Sequence, residues 1–63
     1  DHYTTGNIEC IDAIKASMTA TEFEGYLKGN CIKYLWRYRK KGGIESLHKC
    51  NWYLLRLINE LQG

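Results

Sequence analysis

Asn30, Lys33, Arg37 and Lys40 recur at three- and four-residue steps through the middle of the chain, an amide followed by cations. On a helix turning about 100° per residue they share one stripe, with Tyr26 at its upstream end. That stripe has the chemistry to hold an anion at a groove edge. Lys33 and Arg37, one turn apart, can neutralise a phosphate, which a guanidinium grips through two parallel hydrogen bonds. Asn30 offers a donor and an acceptor to a base edge or a ribose. The plainer reading is a core helix whose cations are solvated, and periodicity alone favours it.

Two further groups carry polar or aromatic chemistry. Lys49, Trp52, Tyr53 and Arg56 fall off the apolar stripe of the last segment, and an exposed Trp–Tyr pair beside cations reads as an interface or as a stacking platform for a base. Glu9 and Asp12, three apart, are ordinary first-turn acids that favour a helix dipole; the alternative is a pair that binds a metal ion or accepts a hydroxyl. His2 and Tyr3 sit in a polar opening arm, where Tyr3 either packs over the first helix or reaches a ligand.

The positioning elements read as helices. The first runs from about Asn7 to Ser17 or Met18, with Ile8, Ile11, Ile14 and Met18 as its apolar stripe. Thr19 with Glu22, and Thr21 with Glu24, both fit the reciprocal cap that opens a second helix. Its core face is Phe23, Leu27, Cys31, Tyr34 and Tyr38, with Leu35 at the edge. The opposite side carries Gly25 and Gly29, then Ile32 and Trp36, and suits close approach by a helix or a ligand. Gly42–Gly43 ends this helix after a cationic last turn. A third helix follows from about Ile44 to Leu61, with Leu47, Leu54, Ile58 and Leu61 as its core face, joined by Cys50 and Leu57. The expected fold is all-α, a compact three-helix single domain over residues 1–63, assembling into a homo-oligomer because one small core at this length is marginal.

Composition bounds the function. A net charge of +2 is mild for a nucleic-acid binder, so nucleic acid is an unfavoured partner, yet Lys33 to Lys41 holds five cations and no acid. No stretch reaches the length of a membrane span, no signal-peptide pattern is visible, and the chain opens at Asp1 rather than Met. Cys10, Cys31 and Cys50 lack metal-site spacing and read as buried free thiols of a reducing cytoplasm. No phosphate-loop motif, catalytic triad or finger pattern occurs, and no metal is expected.

Taken together, His2-Tyr3-x-x-Gly6-x-Ile8-Glu9-x-Ile11-Asp12, then Gly29-Asn30-x-Ile32-Lys33-Tyr34-x-x-Arg37, then Leu47-x-Lys49-x-x-Trp52-Tyr53-Leu54 resembles the SaV-like family of small phage and prophage domains. That domain of unknown function also occurs in a coliphage nucleotide kinase. Ser46 and Cys50 depart from the family's usual acid and Ala. The resemblance implies a phage protein acting in the host cytoplasm and contacting nucleotides. It directs attention to His2, Tyr3, Glu9, Asp12, Asn30, Lys33, Arg37, Lys49, Trp52 and Tyr53. In that setting Tyr3, Trp52 or Tyr53 would stack on a base, His2 would add a phosphate or base contact, and Glu9 or Asp12 would bind a hydroxyl or an amino group.

Three functions follow as expectations. The first is a nucleotide or cyclic-nucleotide binder without turnover and without a cofactor, sequestering a signal made by host defence. The second is a nucleoside monophosphate kinase-like enzyme. It would use Mg and need two substrate sites, for which 63 residues leave little room unless subunits share the site. The third is a helical inhibitor of a host protein, docking through Trp36 or Trp52.

Overall fold

The computed structural model describes residues 9–63 and contains three helices: α1 (Cys10–Ala16), α2 (Ala20–Arg37) and α3 (Ile44–Gln62), with no strand among the described residues. The all-α expectation holds. The opening arm, with Asn7 and Ile8, lies outside the described residues.

α1 starts later than the Asn7 expected. Glu9 is extended, with φ −90° and ψ 160°, and its carbonyl accepts from the amides of Asp12 and Ala13 at 3.0 and 3.1 Å. Glu9 therefore stands at the cap of α1 and not inside its first turn. Ile11, Ile14 and Met18 are half-buried, as their spacing predicts. α2 opens on the expected reciprocal cap: the Glu22 amide donates to Thr19 Oγ1 at 3.2 Å, and the Thr19 amide donates to Glu22 Oε1 at 2.8 Å. The second candidate pair, Thr21 and Glu24, lies within the helix.

α2 ends at Arg37, earlier than expected. The amides of Lys40 and Lys41 both donate to the Arg37 carbonyl at 2.9 Å, and the Gly43 amide reaches back to Tyr38 at 2.9 Å. This turn closes the last helical carbonyls within the chain, so the run of cations forms a knuckle and not a final helical turn. Gly42 and Gly43 have φ of +87° and +53°, conformations that L side chains disfavour. A Cβ at Gly42 would collide with the Ser46 hydroxyl, which donates to the Lys41 carbonyl at 2.6 Å. Ser46, 3% exposed, thereby ties the start of α3 to the turn.

α2 and α3 form an antiparallel hairpin. Its fully buried side chains are Phe23 and Leu27, while Cys31 and Cys50 meet across the middle, the Cys31 thiol donating to the Cys50 carbonyl at 3.6 Å. Burial first, and then the Cys50 thiol, push the Cys31 thiol up. All three cysteines are free, as expected, but Cys10 is exposed and not buried.

α3 is rotated from its expected register. Leu47, Cys50, Tyr53 and Leu57 are half-buried, whereas Leu54, Ile58 and Leu61 are 44, 42 and 64% exposed. Pairing of Tyr53 with the α2 tyrosines outweighs the leucine spacing. Around Gly25 and Gly29 nothing lies within 4 Å of where a Cβ would stand, so no other part of the described chain approaches them. α1 is held at the far end of the hairpin, where Lys15 Nζ lies 3.1 Å from Glu60 Oε1.

Candidate functional site

One flank of the hairpin is a continuous aromatic ladder. Phe23 stacks on Tyr26 (6.0 Å, 11°), Tyr26 meets Tyr53 edge-on (6.2 Å, 78°), and Tyr53 stacks on Tyr34 (5.9 Å, 14°). Trp52 adds an edge-on contact to Tyr53 at 5.0 Å and stays 49% exposed. Phe23, Tyr26 and Tyr34, three and eight residues apart, fall on one arc of α2 that faces the half-buried side of α3, which is why the rings meet.

Tyr34 is the hub for charge. Lys33 Nζ lies 4.6 Å from its ring centroid, Arg37 Cζ 4.8 Å and Lys49 Nζ 5.6 Å, all within cation–π range. Among the described residues none of these cations is paired with a carboxylate; the ion pairs there are Lys15–Glu60 and Arg56–Glu60. Arg37 Nε is buried with no hydrogen-bond partner among the described residues. A guanidinium N–H left in that state is costly, and an anionic oxygen is the partner that suits it best.

Asn30 lies on the same flank, half-buried, its amide nitrogen donating to the Tyr26 carbonyl at 2.9 Å. One of its two N–H donors is therefore spent on the helix, and the other N–H and the carbonyl oxygen are left for a ligand. Tyr53 has its phenol pushed up to about 12, by burial first and by the Tyr26 hydroxyl next. The Tyr34 phenol and the Cys10 thiol act in the same direction.

Of the residues expected to form a site, the fold gathers Asn30, Lys33, Arg37, Trp52 and Tyr53 on one flank. Glu9 is exposed at the cap of α1, and no contact joins it to that flank among the described residues. Asp12 is exposed and falls opposite the Ile11–Ile14 stripe of α1, and Lys40 is exposed in the turn beyond the end of α2. His2 and Tyr3 lie outside the described residues. Tyr53 is a half-buried member of the helix interface and not the exposed half of a Trp–Tyr pair. Two residues gain roles that periodicity did not give them. Periodicity places Tyr34 in the core, although its setting between Lys33 and Arg37 in sequence signals a cation-bearing ring. Lys49, expected beside the Trp–Tyr pair of the last helix, reaches Tyr34 because the two helices pair antiparallel.

Fold and site together define a small all-α domain with a tyrosine-centred cationic flank. Over residues 1–55 the chain matches the family described as a protein of unknown function, DUF3310, and it belongs to that family. It is similar to the Gene 1.7 protein of Enterobacteria phage T3, 40% identical over 50 residues that make up 78% of this chain and 31% of the relative. It is also similar to Nucleotide kinase gp1.7 of Escherichia phage T7, 44% identical over 43 residues, which are 68% of this chain and 22% of the relative. The chain thus spans less than a third of the length of either relative. No solved structure matches it. The expected likeness to a phage domain of unknown function holds at this level. No helix among the described residues is long and apolar enough to cross a membrane.

Proposed function

We propose that this chain binds a nucleotide on the aromatic and cationic flank of the hairpin. The observation that carries the reading is the convergence of Lys33, Arg37 and Lys49 on the single ring of Tyr34. Like charges so close repel one another, and a phosphate would turn that repulsion into attraction. Arg37 Nε would donate to a phosphate oxygen, Trp52 would stack on the base, and the Asn30 carbonyl would accept from a base amino group or a ribose hydroxyl. Sequestration of a nucleotide or cyclic-nucleotide signal, countering host defence in the host cytoplasm, is the role this binding would serve, and placement among the SaV-like domains belongs to the same reading.

Similarity to the T7 protein, a nucleotide kinase by name, supports a second reading, phosphoryl transfer of the nucleoside monophosphate kinase kind, with Mg supplied by the substrate complex. The two readings share the phosphate contacts and differ in whether the ligand is returned unchanged.

The test is the melting temperature of the purified chain against mono-, di-, tri- and cyclic nucleotides, with Arg37→Ala alongside. A ligand at about a hundred times its Kd stabilises the folded state by about 2.7 kcal/mol, a shift on the order of 10 °C for so small a domain. A shift of that kind with one nucleotide, lost in Arg37→Ala, is expected. Recovery of that nucleotide unaltered after incubation with ATP and Mg indicates binding alone, and a phosphorylated product indicates the kinase. No shift with any nucleotide overturns both and points to a host protein partner at Trp36 or Trp52.

A further inference from the structure

Among the described residues nothing covers the flank of the hairpin opposite the tyrosines. By helical register Leu35 of α2 and Leu54, Ile58 and Leu61 of α3 share it, and they are 56, 44, 42 and 64% exposed. α1 does not cover it: Lys15 pairs with Glu60, which by helical register shares the Tyr53 side of α3. Helical domains bury such a stripe by packing two layers, and among the described residues no second layer lies on this side of the hairpin.

We infer that this apolar flank is the seat of a second copy of the same chain, packed on it about a two-fold axis to give a bundle built from two hairpins. Area and charge favour that occupant. The flank runs the length of helices of 18 and 19 residues and is two helices wide, on the order of the 800 Å² per partner that a stable interface buries. A two-fold interface must also complement itself. Glu24 and Lys28, one turn apart, border the groove that Leu61 lines, and they carry opposite charges. A two-fold axis passing between them sets Glu24 of each copy against Lys28 of the other. The arrangement goes beyond the nucleotide reading, and it leaves the Tyr34 flank of both copies open.

Sedimentation of the 63-residue chain over about a hundredfold range of concentration tests it. The expected result is a dimer, or a higher assembly built from dimers, that dissociates on dilution. Leu35→Glu and Leu61→Glu, at positions already more than half exposed, should each raise the dissociation constant at least about tenfold with helical circular dichroism retained. Glu24→Lys should weaken association by a similar factor, and Glu24→Lys with Lys28→Glu should restore it. A monomer at every concentration overturns the inference and assigns the flank to a segment beyond these residues or to another protein. So does a dimer indifferent to all of these substitutions. If a variant loses its helicity, the wild-type melting temperature decides. It must rise with protein concentration, and a constant value also overturns the inference.

Discussion

Tyr34 and Tyr53, one from each long helix, stack with their planes 14° apart and their centroids 5.9 Å apart. This contact does two things at once. It is part of the small apolar interface that joins α2 to α3, and it fixes the ring on which Lys33, Arg37 and Lys49 converge. Folding energy and the electrostatics of the cationic flank therefore pass through one side chain.

Substitution at Tyr34 should separate those roles. Tyr34→Phe keeps the stack and the cation–π geometry and should change unfolding free energy by less than about 0.5 kcal/mol. Tyr34→Ala removes a half-buried ring and its stacking and should cost about 2 kcal/mol. Urea denaturation measures both. A Tyr34→Ala variant as stable as wild type would show that the ladder contributes nothing to the hairpin.

The turn between α2 and α3 has its own test. Gly42→Ala meets both the positive φ and the Ser46 hydroxyl, and should destabilise the chain by more than about 1 kcal/mol. Adding Ser46→Ala to Gly42→Ala should recover part of that loss, because it removes the colliding oxygen, although the Lys41 carbonyl then loses its donor. Thermal melts of the two variants check the order. Equal melting temperatures for the two would mean that backbone conformation alone sets the cost.

Glu60 gives a pH dependence. Arg56 Nε donates to its carboxylate at 2.9 Å and Lys15 Nζ at 3.2 Å, and these bonds, that from Arg56 foremost, hold the carboxyl below its usual range. In the folded chain the group binds fewer protons than in the unfolded chain, so stability rises with pH through this window. The contribution is present above the ordinary carboxylate pKa and is lost as pH falls through the lowered folded value. Wild type should therefore melt higher than Glu60→Gln near neutral pH, and the gap should close in acid. A gap that stays constant with pH would remove the ion pairs from the account.

Much of this fold is legible in the chain. The Thr19–Glu22 cap opens α2 and the Gly42–Gly43 pair precedes α3, local signals with local causes, although the glycines do not mark the end of α2. The end of α2 is less legible. Periodicity runs on through Tyr38, and only the backbone bonds to the Arg37 carbonyl show where helix gives way to turn. The rotation of α3 could not be read locally either. Tyr53 and Leu54 are adjacent, each lies on an arc compatible with a core, and the α2 tyrosines decide between them. For the same reason Asn30, Lys33 and Arg37 are visible on one helix, whereas Lys49 enters only through the pairing of two.

The two tryptophans sit in unlike surroundings: Trp36 is 87% exposed on the outer side of α2, while Trp52 lies 5.0 Å from the Tyr53 ring. The chain is thereby its own optical probe, with a water-relaxed, red-shifted emitter at one position and an emitter close enough to a tyrosine to receive its excitation at the other. An aromatic base arriving at the tyrosine flank would quench Trp52 and leave Trp36 shining, so a single emission spectrum would report which side of the hairpin had been occupied.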